Sequence, residues 1–244
     1  MAKQLQFQRG KMEGNRIKLL IADNEEIFRQ GLVCIFKGRP NIEIVGQSTT
    51  GEETIEKSRQ NRPDIVLLNS RILECAALEV LAEINKSLPG TKVVTMSHPE
   101  ALEDPLDLVR AGAWACLSRL ISADDLVKSL ELIHSGRIII SRFLARAVIQ
   151  EIRSLERDDD KKERQGKEPL SDRQLEIVKF IAHGRTNKEI AQELAITENT
   201  VKGHVKNILE KLELRNRQQL AVCAFLRNWV THPNESQPKT SQTR

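Results

Sequence analysis

Between Ile17 and Gly136 the chain alternates five short apolar runs with five stretches of helical spacing. The runs are IKLLIA, IEIVGQ, DIVLLN, KVVTMS and WACLSR. The helical stretches that follow them are Phe28 to Phe36, Glu52 to Gln60, Leu78 to Lys86, Pro105 to Ala111 and Asp124 to Ser135. No other feature constrains the fold as much. The runs are nearly continuous in apolar residues, with Val and Ile prominent, as parallel strands covered on both faces must be. An α/β doubly wound sheet of five parallel strands is expected, with its ligand crevice at the carboxyl ends of the strands.

Beyond that region the pattern changes. Ile138 to Leu155 keeps helical spacing, and ERDDDKKERQGKE then carries no apolar residue, which predicts a connecting helix running into a flexible linker. Pro169 ends the linker, and from Leu170 the spacing is helical throughout. The tail THPNESQPKTSQTR is polar and expected to be disordered; the segment up to Arg16 lacks an apolar h-region and reads as a loose leader. The expected division is a leader over 1–16, an α/β domain over 17–136, a linker helix and charged linker over 137–166, an all-α four-helix domain over 167–230, and a tail over 231–244.

Composition excludes several classes. With 30% charged residues and no apolar run near membrane-spanning length, no membrane span is expected. Cys34, Cys75, Cys116 and Cys223 are scattered without zinc-site spacing, so a reducing cytoplasm, structural thiols, no metal and no cofactor are expected. Cys75 could alternatively sense redox state. His98, His134, His183, His204 and His232 are dispersed, no nucleophile–base constellation or phosphate-cradling loop occurs, and Asp158 to Asp160 form a solvated charge run; an enzyme is not expected. From Lys167 onward there are 13 basic and 9 acidic residues, which accounts for the whole net charge of +4 and points to a polyanionic partner.

Within that basic third, Ser171 with Gln174 and Thr186 with Glu189 fit reciprocal capping boxes, and Thr197 can cap a third helix. The expected helices are Asp172 to His183, Asn187 to Leu194, Glu198 to Glu213 and Arg217 to Trp229, with Gly184 as a left-handed stop after the first. Only a tight turn fits between Leu194 and Thr197, which is helix-turn-helix geometry. Val201, Val205, Ile208 and Leu212 make one apolar stripe; Asn199, Lys202, Gly203 and Lys206 fall on the other side. That outward face is either a solvated surface or a helix face for the major groove.

The segment LSDRQLEIVKFIAHGRTNKEIAQELAITENTVKGHVKNILEKLELRNRQQLAV, about Leu170 to Ala224, resembles the LuxR-type helix-turn-helix without a gap. The resemblance implies double-stranded DNA as partner, with Lys202 and Lys206 as main contacts on the recognition helix. It also places Thr200 and Asn207 near phosphates or bases, and Lys188 on the DNA backbone. Gly203 stands where many relatives carry Asn or Val, which removes one base-edge contact. In this family the fourth helix often forms a homodimer contact; Leu220, Cys223, Ala224 and Leu226 suit either that role or core packing.

The N-terminal region resembles the receivers of NarL/FixJ-type response regulators over about Ile17 to Gly136, through IKLLIADNEEIFRQGL, PDIVLLNSRI and LVRAGAWACLSRLISADDLVKSLELIHSG. A working receiver uses three carboxylates around magnesium, one of them the phosphoryl acceptor, with a Ser/Thr and a Lys holding the phosphate. Here the acidic pair reads Asp23 and Asn24, the acceptor position Asn69, the hydroxyl position Ser97 and the lysine position Arg119, with Cys116 for the switch aromatic. The loop Ile72 to Ala77 departs from the family's turn as well. The resemblance thus implies an atypical receiver, independent of phosphorylation unless a neighbour such as Glu25, Ser70 or Glu74 takes over as acceptor. Two crevice arrangements are open: Arg119 paired bidentately with Asp23 and bonded to Asn69, or Arg119 in solvent over a wet crevice. A histidine kinase and RNA polymerase are further partners the resemblance implies.

Overall fold

The computed structural model describes residues 16–72, 77–98, 104–157, 170–227 and 229–230. The expected leader up to residue 15, the charged linker from residue 158 and the tail from residue 231 lie outside the described residues, as do Glu74, Cys75 and His232. The chain divides into two compact units between Ala147 and Val148.

In the first unit, β1 (Ile17–Ala22), β2 (Ile42–Ser48), β3 (Ile65–Asn69), β4 (Lys92–Ser97) and β5 (Ala115–Ser118) alternate with helices. These are α1 (Glu26–Lys37), α2 (Gly51–Asn61), α3 (Ala77–Ser87), α4 (Pro105–Ala111) and α5 (Ala123–His134). The sheet order is β2-β1-β3-β4-β5 and every pairing is parallel. Every residue of β3 is buried, so its unbroken apolar run reflects cover on both faces. On one face Leu19, Ile21, Ile65, Leu67, Val94 and Met96 pack with Leu32 and Phe36 of α1 and Leu126 and Leu130 of α5. The chain reverses its direction across the sheet between β1 and β3, and a crevice opens where their carboxyl ends part. Asp23 and Asn24 follow β1, Asn69 ends β3, Ser97 ends β4 and Arg119 follows β5, so all five stand at this edge.

Helix α6 (Arg142–Arg157) starts four residues later than its periodicity predicts. Ser141 caps it, its hydroxyl accepting from the Leu144 amide at 3.2 Å, while Ile139 packs against the sheet core as non-helical chain. Ile139 thus meets an apolar need of the sheet core that the helical pattern alone misassigns.

The second unit holds α7 (Asp172–Ala182), α8 (Asn187–Glu193), α9 (Glu198–Leu212) and α10 (Arg217–Leu226). Their core includes Ile177, Ile181, Ile190, Val201, Ile208, Leu212, Leu220 and Ala224. Gly184 takes φ 76° and closes α7 as a left-handed stop. Helix α10 ends at Leu226, short of the expected Trp229, because the chain turns back: the Trp229 amide donates to the Ala224 carbonyl at 2.9 Å and the Arg227 guanidinium lies over the Trp229 ring.

A candidate nucleic-acid interface and an acidic crevice

Each helix of the second unit is started by its own sequence. The Ser171 hydroxyl accepts from the Gln174 amide at 3.3 Å while the Gln174 side chain accepts from the Ser171 amide at 3.0 Å. Thr186 and Glu189 repeat the arrangement at 3.3 and 2.7 Å. Thr197 accepts from the Thr200 amide at 3.1 Å, and the two hydroxyls lie 2.8 Å apart, so Thr200 is part of the cap of α9. The turn between α8 and α9 places Ala195 at φ 52°, a left-handed backbone that costs an L-residue about 1 kcal/mol.

Helix α9 buries Val201, Ile208 and Leu212 and half-buries Val205, which rolls its other side outward. Asn199, Thr200, Lys202, Gly203, Lys206 and Asn207 are all exposed on it, and Lys188 is exposed near the start of α8. Among the described residues the two lysines pair with surface glutamates on their own helix, Lys202 with Glu198 at 3.0 Å and Lys206 with Glu210 at 3.7 Å. Pairs so exposed are worth a few tenths of a kcal/mol. A polyanion that displaced the glutamates would lose little and gain two cations on one face. Around Gly203 nothing lies within 4 Å of where a Cβ would stand, so no packing inside the chain requires glycine there.

The crevice of the first unit is closed by its own groups. Arg119 is 9% exposed at its side chain and Asp23 only 3%; its Nη1 donates to Asp23 Oδ2 at 3.0 Å. The second arm turns away from Asp23, and Nη2 donates to Glu25 Oε2 at 2.9 Å. The guanidinium also stacks on the Phe28 ring, 3.7 Å from its centroid. Arg119 is therefore not in solvent, and its fork is shared between two carboxylates instead of gripping Asp23 bidentately. Asn69 is held separately: its Nδ2 donates to Asn24 Oδ1 at 2.9 Å and to Asp23 Oδ1 at 3.3 Å, while its Oδ1 accepts from the Arg71 amide at 3.1 Å.

Burial raises the Asp23 carboxyl above the ordinary carboxylate range, against the pull of the Glu25 amide and the Arg119 charge. The hydroxyls of Ser70 and Ser97 are buried without a hydrogen-bond partner among the described residues. Cys116 on β5 is fully buried, and burial pushes its thiol up to about 12, which keeps it neutral and unreactive. Sequence reasoning missed Glu25 and Phe28 as partners of Arg119. Their signal was available, since a residue two beyond Asp23 and one on the first turn of α1 both reach the crevice mouth.

Known proteins place this architecture. Residues 19–131 match the model of the response regulator receiver domain, and residues 168–224 match that of bacterial regulatory proteins of the luxR family. The transcriptional regulatory protein LnrK of Bacillus subtilis is 32% identical over 215 residues, covering 84% of this chain and 95% of that protein. The response regulator protein VraR of Staphylococcus epidermidis is 30% identical, covering 88% of this chain and 99% of that one. Among solved structures, the response regulator RcsB in complex with DNA shares the fold at a TM-score of 0.50 and 17% identity, covering 89% of this chain and 100% of that one. No helix among the described residues is long and apolar enough to cross a membrane. The receiver match spans the five-stranded parallel sheet and the luxR match spans the capped four-helix unit, and the chain belongs to the DNA-binding response regulators of the LuxR family.

Proposed function

We propose that this transcription regulator works without aspartyl phosphate, its receiver acting as a self-satisfied module that assembles two DNA-reading domains. The observation that carries this reading is the buried Arg119–Asp23 pair beside Asn69. A divalent ion of the kind receivers use needs several anionic oxygens. Asp23 and, at the crevice mouth, Glu25 supply carboxylates, both already paired with the Arg119 guanidinium, and Asn24 and Asn69 supply amides. These residues do not fit the ion. An amide at position 69 also lacks the anionic oxygen that attacks a phosphoryl donor. Intact mass after incubation of the full chain with acetyl phosphate and magnesium tests the reading. No added mass is expected; a labile gain of one phosphoryl group overturns it.

In this reading the recognition helix α9 enters the major groove with Lys202 and Lys206 as principal contacts, and Asn199, Thr200, Gly203 and Asn207 face the duplex. Lys188 touches the DNA backbone. The α/β domain ends near Gly136, and residues 137–166 connect it to the reader. The chain acts in the cytoplasm as a homodimer on two half-sites, and the connector raises the effective concentration of the second reader once the first is bound. RNA polymerase or a histidine kinase is a further partner through the receiver.

One observation favours a second reading. Ser70 follows Asn69 in the chain, and its buried hydroxyl, without a hydrogen-bond partner among the described residues, is a different candidate phosphoryl acceptor. It has no hydrogen-bonded base to take its proton, which makes it the weaker case. A phosphoryl gain stable to acid and to neutral hydroxylamine in the same experiment would select it.

A further inference from the structure

Thirty residues beyond Asn187, the start of α10 sends one side chain back across the second unit. Arg217 is 6% exposed. Its Nη1 donates to Asn187 Oδ1 at 3.1 Å and its Nη2 to the Arg185 carbonyl. Those acceptors lie on either side of Thr186, the cap of α8, so the fork spans the whole turn that leads into that helix. The turn and its cap sit immediately before Lys188, whose side chain is exposed.

A mere filler would not be an arginine. Both hydrogen-bond acceptors are neutral, Nε has no partner among the described residues, and burial pulls the guanidinium down to about 10 even with Glu189 opposing. Burying a charge against neutral acceptors in this way is costly. What an apolar chain cannot do is hold a backbone carbonyl and a side-chain amide at fixed spacing; a planar fork can. The start of α10 is itself rigid, since Asn216 caps it and the Gln219 side chain accepts from the Arg215 amide at 2.6 Å.

We infer that Arg217 is a positioning residue for DNA binding: it fixes the Arg185–Asn187 turn so that Lys188 meets the DNA backbone. This rests on the Lys188 contact proposed above. Its effect is on affinity and its salt dependence, with sequence preference left to α9, whose own cap at Thr197 is independent of Arg217.

The test uses the full chain with Arg217→Met, Lys188→Ala and the double variant, and two probes: a duplex enriched by the unaltered protein from a random pool, and a random-sequence duplex. One lost phosphate contact lowers affinity about tenfold near 0.1 M salt and reduces the slope of log affinity against log salt by about one per bound subunit. Arg217→Met is expected to fold, with a modest loss of melting temperature from the acceptors it leaves unpaired, and to lose this much on both probes alike. In the Lys188→Ala background it should change nothing further. If Arg217→Met fails to fold, Asn187→Ala removes one acceptor from a half-buried position and should lower the slope in the same direction. Unchanged slope in a folded Arg217→Met or Asn187→Ala chain, or losses that add to those of Lys188→Ala, overturns the inference. If Lys188→Ala itself leaves the slope unchanged, the backbone contact fails, and the positioning role fails with it.

Discussion

Arg119 in the receiver and Lys202 in the reader each carry one positive charge beside carboxylates, yet they stand in opposite regimes. Arg119 is 9% exposed and spends both arms on Asp23 and Glu25, with a phenylalanine ring against its face. Lys202 is 57% exposed and holds one glutamate of its own helix. Removing either partner of a buried pair strands a desolvated charge, so the receiver site resists any ligand that would compete for its groups. An exposed pair is screened and cheap to break, so the lysine remains available. The same chemistry closes one site and leaves the other open.

The largest effect that would test this contrast is on DNA affinity. Lys202→Ala with Lys206→Ala should weaken binding to an enriched duplex by about 3 kcal/mol or more, since each groove contact is worth about 1 to 3 kcal/mol. Thermal melting should hardly move. A clear drop in melting temperature would show that these lysines are structural and would erase the contrast. Next comes Arg119→Ala, which should cost about 3 kcal/mol in urea unfolding of the full chain because Asp23 is left buried without its cation. Binding to the duplex under native conditions should survive. No loss of stability would mean that the crevice is wetter than its geometry shows.

Smaller effects sharpen the same comparison. Gly203→Ala should stabilise the chain by roughly 0.5 to 1 kcal/mol, because glycine inside an exposed helix is entropically costly and a Cβ there meets nothing. Differential scanning calorimetry checks it, and a lower melting temperature would refute the open space around that position. The smallest effect is one of pH. The Asp23 carboxyl is raised in the folded chain, so below that raised value the native state binds a proton that the unfolded state releases until about pH 4. Stability contributed by this group therefore falls as pH rises through its folded pKa. Measured against Asp23→Asn, the unaltered chain should gain relative stability on acidification through that window; a relative loss would reverse the assigned direction.

Much of this molecule is legible in the residues because its cause is local. Alternating apolar runs and helical stretches define a five-stranded parallel sheet, since a strand covered on both faces has no polar side to show. Ser171, Thr186 and Thr197 announce three helix starts because a cap and its target lie three residues apart. The stripe from Val201 to Leu212 fixes which side of α9 can reach solvent, and hence where Lys202 and Lys206 point. Asn69 at a strand end declares, in a single residue, that no carboxylate stands there.

Other features depend on residues far apart in the chain. Whether Arg119 lay in water or against Asp23 was open until the ends of β1 and β5 were brought together, because 96 residues separate the two. The division of its fork between Asp23 and Glu25, the ring of Phe28 against it, and the reach of Arg217 to Asn187 carry no periodicity and no motif spacing. Ile138 to Ile140 mimicked a helix until the sheet core claimed Ile139. Local hydrogen bonds and periodic burial are written along the chain, so sequence determined them. Which charges become buried partners is set by the enclosing packing, because their desolvation and their geometry exist only once the fold has closed around them.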